Sequence, residues 1–183
     1  MDDVYTSAAP IDVSCLLITT LWAQMRSKDP RTKVGAGIYD PVSGAIYLGY
    51  NGLPAGVPDL KSIWDNRDAY APGNKYLYAI HAEANAIRKA AQAIGDLAHC
   101  ILYVTHYPCH SCMKDFIIPF GIKHVVYMQH REDKASEELA LASDVEVIRS
   151  MLDVNVVDAT KYAWDGWPKT ITITERKSEL YGP

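Results

Sequence analysis

The chain has 183 residues, 49% of them hydrophobic and 22% charged, which excludes a disordered, collagen-like or membrane-embedded protein and suits one soluble domain with a sizeable core. Eighteen Lys and Arg against 22 Asp and Glu leave a formal net charge of -4, so the protein as a whole repels polyanions and a long nucleic-acid track is disfavoured. No run approaches 18 consecutive apolar residues, and Met1 is followed by Asp2 and Asp3 where a secretory signal carries positive charge; the expected compartment is the cytoplasm, with no membrane association.

Residues 11 to 27 (IDVSCLLITTLWAQMRS) place apolar side chains at three- and four-residue intervals, with Asp12 near the start, as an amphipathic helix does. A polar turn at Lys28-Asp29-Pro30 ends it. VGAGIY (34 to 39) and GAIYLGY (44 to 50) are β-rich runs joined by Asp40-Pro41-Val42-Ser43 and read as a hairpin. From Asn51 to about Gly73 the density of Gly and Pro predicts a long loop, with a helical turn near Trp64. Strands are expected at CILYVT (100 to 105), KHVVYM (123 to 128) and VNVVD (154 to 158), separated by helices at about 80 to 94, 110 to 120 and 135 to 152. Right-handed crossovers make these last strands parallel and join them to the hairpin in one mixed sheet, giving a three-layer α/β/α domain. TITIT (170 to 174) alternates like a strand, and Trp164 and Trp167 are large apolar residues close to it.

Three residues of zinc-binding type stand at two predicted helix starts: His81 in IHAEANAI, and Cys109 with Cys112 in YPCHSCM. Residues three apart share a helix face, and a thiolate at a helix N-terminus is stabilised by unpaired amides, so Cys109 and Cys112 can converge on one ion with His81 as third ligand. Two thiolates and a neutral imidazole balance Zn²⁺ and leave one tetrahedral position for water, whose pKa falls to ~7 there. His106 or His110 as a fourth ligand would instead close the site into a structural one. Glu83 lies two residues after His81, about 200° around a regular helix, so the helix must start at the motif if both side chains are to reach one place. A carboxylate there can act as general acid and base. Cys15 and Cys100 lie in apolar runs and read as core; four cysteines are too few and too unevenly spaced for a disulfide framework.

The combination H-A-E followed by P-C-x-x-C resembles the zinc-dependent cytidine and deoxycytidylate deaminase superfamily. RSKDPRTKVGAGI (26 to 38), GYNGLPAG (49 to 56), KYLYAIHAEANAI (75 to 87), LYVTHYPCHSC (102 to 112) and GIKHVVYM (121 to 128) are similar to its deoxycytidylate (dCMP) deaminase branch. The resemblance covers roughly 15 to 158 and implies a cytidine-deaminase-like fold with a mixed five-stranded sheet. It places the catalytic domain at 1–160, with a tail at 161–183 expected at a subunit interface.

The same resemblance implies His81, Cys109 and Cys112 as ligands of one Zn²⁺ per chain and Glu83 as proton shuttle. Asn51 would contact the sugar, the Ala82 amide would hold the pyrimidine edge, and Tyr107 would flank the base or serve as a core tyrosine. Arg26, Lys28, Arg31 and Lys33 are four cations in eight residues; Arg26 and Lys28 are the preferred phosphate ligands, against a solvated charged turn. Gly52, Pro54 and Gly56 fall in the loop where the family binds dCTP as activator and dTTP as inhibitor, and a triphosphate effector would bring Mg²⁺. A homo-oligomer is implied, a hexamer first and a dimer second.

The expected activity is hydrolytic deamination of dCMP to dUMP with release of ammonia, feeding dTMP synthesis: a hydrolase acting on carbon–nitrogen bonds of cyclic amidines. The competing readings are a deaminase of another cytosine nucleotide such as dCTP, or of a base within RNA, and a non-catalytic nucleotide-sensing zinc protein. The acidic balance favours a small nucleotide over a polynucleotide.

Overall fold

A computed structural model describes residues 11–150, together with the strand backbones of 152–157 and 170–175. Helix α1 (Ile11–Arg26) buries Cys15, Leu16, Thr19, Thr20 and Ala23, the single stripe that a helix lying on a sheet requires. Asp12 in its first turn and Arg26 in its last complement the helix dipole. Strand β1 (Gly35–Tyr39) then pairs antiparallel with β2 (Ile46–Tyr50), Gly35 opposite Tyr50 and Tyr39 opposite Ile46. Their link is set by Asp40, whose carboxylate accepts from the Val42 amide at 2.9 Å and the Ser43 hydroxyl at 2.5 Å, and by Gly44 at φ +74°, a conformation that a Cβ disfavours.

The long stretch after β2 carries α2 (Lys61–Asp65), α3 (Lys75–Tyr78) and α4 (Ala82–Ile94) before β3 (Ile101–His106). Between β3 and β4 (His124–Gln129) comes α5 (His110–Cys112), which runs on through a π-type turn (Met113–Ile117) in which the Ile118 amide reaches back to the Met113 carbonyl. Helix α6 (Lys134–Ala142) leads to β5 (Glu146–Arg149). The five strands lie in the order β2-β1-β3-β4-β5, with β1 antiparallel to β3, and β3, β4 and β5 parallel. This is the expected mixed five-stranded sheet.

Its fifth strand is not the expected one. The stretch read as a helix over 135–152 stops at Ser143, turns at Asp144 with φ +54°, and returns as β5. Neither Ser143 nor Asp144 is a Gly or Pro stop signal, and β5 is an edge strand in which only Val147 is half-buried, so no alternation marks it. Residues 154–157 of the VNVVD run fall in β6 (Leu152–Val157), which pairs antiparallel with β7 (Thr170–Glu175) in a separate two-stranded sheet, and Asp158 lies outside the described residues. The TITIT strand is thus present. Trp164, Trp167 and the rest of the 161–183 tail apart from β7 lie outside the described residues.

Alternation along the strands divides the interior in two. Tyr103 and Met128 face α1 with Cys15 and Leu16; Ala36, Ile38, Leu102, Val104 and Val125 face the other way, onto Ala86, Ile87 and Ala90 of α4. Glycines allow both helices to approach the sheet closely. A Cβ on Gly35 would lie 2.3 Å from the Thr19 carbonyl oxygen, and one on Gly49 would lie 2.3 Å from the Ala82 carbonyl oxygen and 2.5 Å from the Ala86 nitrogen. Because Gly49 seats the first turn of α4, Gly49→Ala is expected to cost about 1–3 kcal/mol of stability and to weaken metal binding at His81 in the same variant, as read by thermal melting and metal analysis. Among the described residues no helix is long and apolar enough to cross a membrane.

Candidate active site

Cys109 and Cys112 follow the C-terminal end of β3, where α/β sheets open a crevice, and His81 and Glu83 stand at the N-terminus of α4. His81 caps α4 in an extended conformation (φ -72°, ψ 154°), off the helix, while Glu83 is the second helical residue and only 4% exposed. The helix does start at the motif, as the spacing of His81 and Glu83 requires. Cys109 likewise precedes α5 in extended backbone (φ -77°, ψ 163°), and Cys112 sits within that helix, 1% exposed.

His81 Nδ1 lies 3.2 Å from Cys112 Sγ and 3.4 Å from Cys109 Sγ. All three donor atoms fall within 4.8 Å of one another. Zn–N and Zn–S bonds of tetrahedral length imply N···S separations of about 3.5 Å, so this donor set fits a zinc ion. His106 and His110 do not join it: His106 Nδ1 is 2.9 Å from Thr105 Oγ1 and His110 Nδ1 is 3.1 Å from Asp133 Oδ2. Among the described residues the cluster therefore offers three ligands, the set that leaves a coordination position open. A second grouping, Asp40, His99 and Cys100, lies at the N-terminal end of β3, where Asp40 is occupied by its own turn.

In the metal-free protein only Cys109 is held in its ligand form. A hydrogen bond from the Cys112 thiol, with another from His81, outweighs burial and draws the Cys109 pKa down to about 3. The same bond and its own burial hold Cys112 protonated in the metal-free protein, so loading the site must release a proton. Hydrogen bonding to Cys109 raises the His81 pKa. Burial raises that of Glu83, against the pull of His81.

The turn that presents Cys109 is pinned from α6. Asp133 accepts from the Ser136 amide at 3.1 Å and from the His110 amide at 3.0 Å, and the Ser136 hydroxyl donates to the Pro108 carbonyl at 2.9 Å. Groups that orient ligands in this way typically change metal affinity 10- to 100-fold. Asp133→Ala is therefore expected to weaken zinc binding by about that factor, measured by competition with a chromogenic chelator.

A cavity of about 580 Å³ opens over the cluster, lined by His81, Glu83 and Cys109. Asn51, Ala82 and Tyr107 also line it. Asn51 Oδ1 accepts from Ser27 Oγ at 2.7 Å and from the Val34 amide at 2.8 Å, and its Nδ2 donates to the Thr32 carbonyl at 2.9 Å; the residue clasps the 27–34 loop and has one amide hydrogen left for the cavity. Tyr107 is 6% exposed and packs edge-on against Tyr127, ring centroids 5.0 Å apart.

Arg26 and Lys28 are not brought to this cavity. The Arg26 guanidinium lies over the rings of Trp22 and Tyr50, at 5.6 and 5.8 Å. Lys28 is paired with Asp59 at 2.7 Å beside a separate shallow cleft of about 310 Å³ bordered by Trp64. The cations on the cavity wall are Arg67, Lys75 and Arg131, none of them picked out by the sequence reading. Lys75 stands within KYLYAIHAEANAI, but nothing in the local pattern separates it from an ordinary helix-start lysine.

Gly52 makes a reciprocal backbone pair with Ile80, one residue before His81, with bonds of 3.1 and 2.8 Å. The Pro54 carbonyl accepts from the Val57 amide at 3.0 Å, closing a turn whose third residue is Gly56 at φ +86°, the position that needs positive φ.

The pattern of the cytidine and deoxycytidylate deaminase zinc-binding region matches residues 12–129. The chain is 40% identical over 112 residues to a probable deoxycytidylate deaminase of Caenorhabditis elegans, covering 61% of this chain and 54% of that one. It is 34% identical over 162 residues to a probable deoxycytidylate deaminase of Drosophila melanogaster, covering 86% and 74%. Against the first four curated relatives the aligned stretch spans 54 to 63% of their length. Among solved structures, the cyanophage S-TIM5 dCMP deaminase in complex with dCMP and dUMP superposes with a TM-score of 0.63 at 27% identity, covering 79% of this chain and all of that one.

Proposed function

The chain belongs to the cytidine and deoxycytidylate deaminase zinc-binding family, and from that premise we propose that it hydrolyses dCMP to dUMP and ammonia. The observation that carries this reading is the three-ligand His81, Cys109 and Cys112 cluster with a buried, non-ligand carboxylate, Glu83, lining the same cavity as His81 and Cys109. A structural zinc site has no use for Glu83, which weighs against a purely sensing protein.

His81, Cys109 and Cys112 would hold one zinc ion per chain, and zinc there would supply Lewis acidity that makes water a nucleophile near neutral pH. Overall, a C–O bond forms at ring carbon 4, the exocyclic C–N bond breaks and no electrons are exchanged. Glu83 would take one proton from the attacking water and pass it to ring nitrogen 3, then carry the second, from the hydroxyl on carbon 4, to the leaving amine. The first intrahelical bond of α4 runs from the Asn85 amide to the His81 carbonyl, so the Ala82 amide has no partner within the helix and can hold the pyrimidine edge. Asn51 offers its remaining amide hydrogen to the sugar, and Tyr107 walls the base. The product dUMP feeds dTMP synthesis, a cytoplasmic role. Ultraviolet absorbance with dCMP, CMP, dCTP and cytidine tests the reading; turnover of dCTP in preference to dCMP would favour another cytosine nucleotide.

Regulation by dCTP and dTTP, with Mg²⁺ carried by the triphosphate, belongs to the same proposal and draws support from the Gly52–Ile80 pair, which ties the loop of Pro54 and Gly56 to the residue before His81. So does assembly into a hexamer, or failing that a dimer. Tyr70, Tyr76 and Leu77 are 97, 53 and 68% exposed along one stretch of chain, apolar surface that a second copy would cover. Light scattering at micromolar concentration should give a multiple of 20.3 kDa; a monomer alone would remove the assembly.

A further inference from the structure

At the end of the sheet away from the His81 cluster, strand register brings a second group of metal-binding side chains together. Strands β1 and β3 pair antiparallel, with Tyr39 opposite Ile101, so the next step of the same register places Asp40 beside Cys100; side chains so opposed share a face, their Cβ atoms about 5 Å apart. His99 completes the group. Its Nε2 lies 3.0 Å from Asp40 Oδ1 and 3.8 Å from Cys100 Sγ, and the three donor atoms all fall within 4.8 Å of one another.

The negative charge here lacks a permanent counterion. Asp40 is buried, 4% exposed, and hydrogen bonds from the Ser43 hydroxyl and the Val42 amide hold its carboxyl below the usual carboxylate range, so it is ionised at neutral pH. Among the described residues no Lys or Arg forms an ion pair with it; its partner is His99, which is uncharged unless protonated. A buried anion without a cation is costly. The β1–β2 turn does not exhaust the carboxylate either, because the Val42 amide takes one lone pair of Oδ1 and the Ser43 hydroxyl one of Oδ2, out of about four. A second lone pair of Oδ1 is left facing His99. The His99 side chain is 41% exposed, which gives an ion a path from solvent to two buried donors.

We propose that Asp40, His99 and Cys100 form a second site for a divalent transition-metal ion, zinc by its donor set, separate from the catalytic cluster and independent of the deaminase reading. A carboxylate, a thiolate and a neutral imidazole cancel the charge of the ion, and the N···O and N···S separations lie within about 0.5 Å of those that tetrahedral zinc bonds imply. On loading, the Cys100 S–H bond breaks, its proton passes to solvent and the sulfur bonds the ion. Burial, with Asp40 and Asp96 nearby, pushes that thiol up to about 11, whereas Cys109 is drawn down to about 3; this site is therefore the weaker of the two and is expected to release its ion on gel filtration. The six residues of β3 separate it from the Cys109 turn, about 20 Å at the rise of a strand. Its role is structural: the ion ties the β1–β2 turn to the start of β3.

The test titrates the zinc-loaded full chain with Co²⁺ at neutral pH, in the wild type and in His99→Gln, Cys100→Ser and Asp40→Asn. Bound zinc and cobalt are counted after equilibrium dialysis, and thiolate-to-cobalt charge transfer is read by absorbance. The expected result for the wild type is one cobalt per chain with that absorption, no loss of zinc, and a rise in Tm. His99→Gln should lose the cobalt, the absorption and the rise in Tm while keeping its zinc, and Cys100→Ser should lose the absorption. Should the variants of the buried residues, Cys100→Ser and Asp40→Asn, fail to fold, His99→Gln decides alone, because His99 is the exposed member of the group. A wild type that binds no cobalt, cobalt bound only as zinc is displaced, or the same cobalt and absorption in His99→Gln would overturn the proposal.

Discussion

Glu83→Gln is expected to retain one zinc per chain and a folded domain while losing turnover of dCMP by at least about 10²- to 10⁴-fold, the usual contribution of a positioned acid or base. The substitution keeps the size of the side chain and its place in α4, so packing against the cluster is preserved. What it removes is a group that can be proton acceptor and donor in turn. Glu83 is nearly inaccessible to bulk water, 4% exposed, so solvent cannot readily substitute for it. The result should lie at the upper end of the range, because one carboxyl serves the attacking water, ring nitrogen 3 and the departing amine. A variant with normal zinc content and near wild-type rate would show that another group shuttles the protons.

Cys109→Ser and Cys112→Ser are expected to abolish stoichiometric zinc and, with it, activity. A serine hydroxyl is a hard, barely acidic donor where zinc favours thiolate. In Cys112→Ser the thiol hydrogen bond that stabilises the Cys109 thiolate also weakens, and in Cys109→Ser the residual thiol at Cys112 stays buried beside Glu83. Metal analysis by plasma mass spectrometry after gel filtration reads the outcome. A fully metallated, active double variant would contradict the ligand assignment.

The legible parts of this site are those set by local chemistry. Cys109 and Cys112 are three residues apart, His81 and Glu83 two, and their meaning depends only on where a helix begins, which the extended backbone at His81 and Cys109 bears out. The β1–β2 hairpin was legible for the same reason, since its turn is closed by Asp40, Ser43 and Gly44 within the turn itself. Signals were lost where tertiary contact decides. Strand β5 is held by pairing with β4, His124 opposite Glu146 and Tyr127 opposite Arg149, and not by any alternation of its own, so the periodicity extended α6 through it. The cations of the cavity wall were missed for a related reason. A dense basic run drew attention to Arg26 and Lys28, yet aromatic rings and Asp59 occupy those two, whereas Arg67 and Lys75 meet Asp29 only after the long loop folds back.

The central claim, that this chain replaces the cytosine amine of dCMP with oxygen from water at its zinc site, is tested most directly by incubating zinc-loaded and metal-stripped protein with dCMP in heavy-oxygen water and weighing the products by mass spectrometry. The account predicts dUMP carrying one heavy oxygen at ring carbon 4, with ammonia released in equal amount, from the zinc-loaded protein alone. Unlabelled dUMP, equal turnover by the metal-stripped protein, or unchanged dCMP would contradict it.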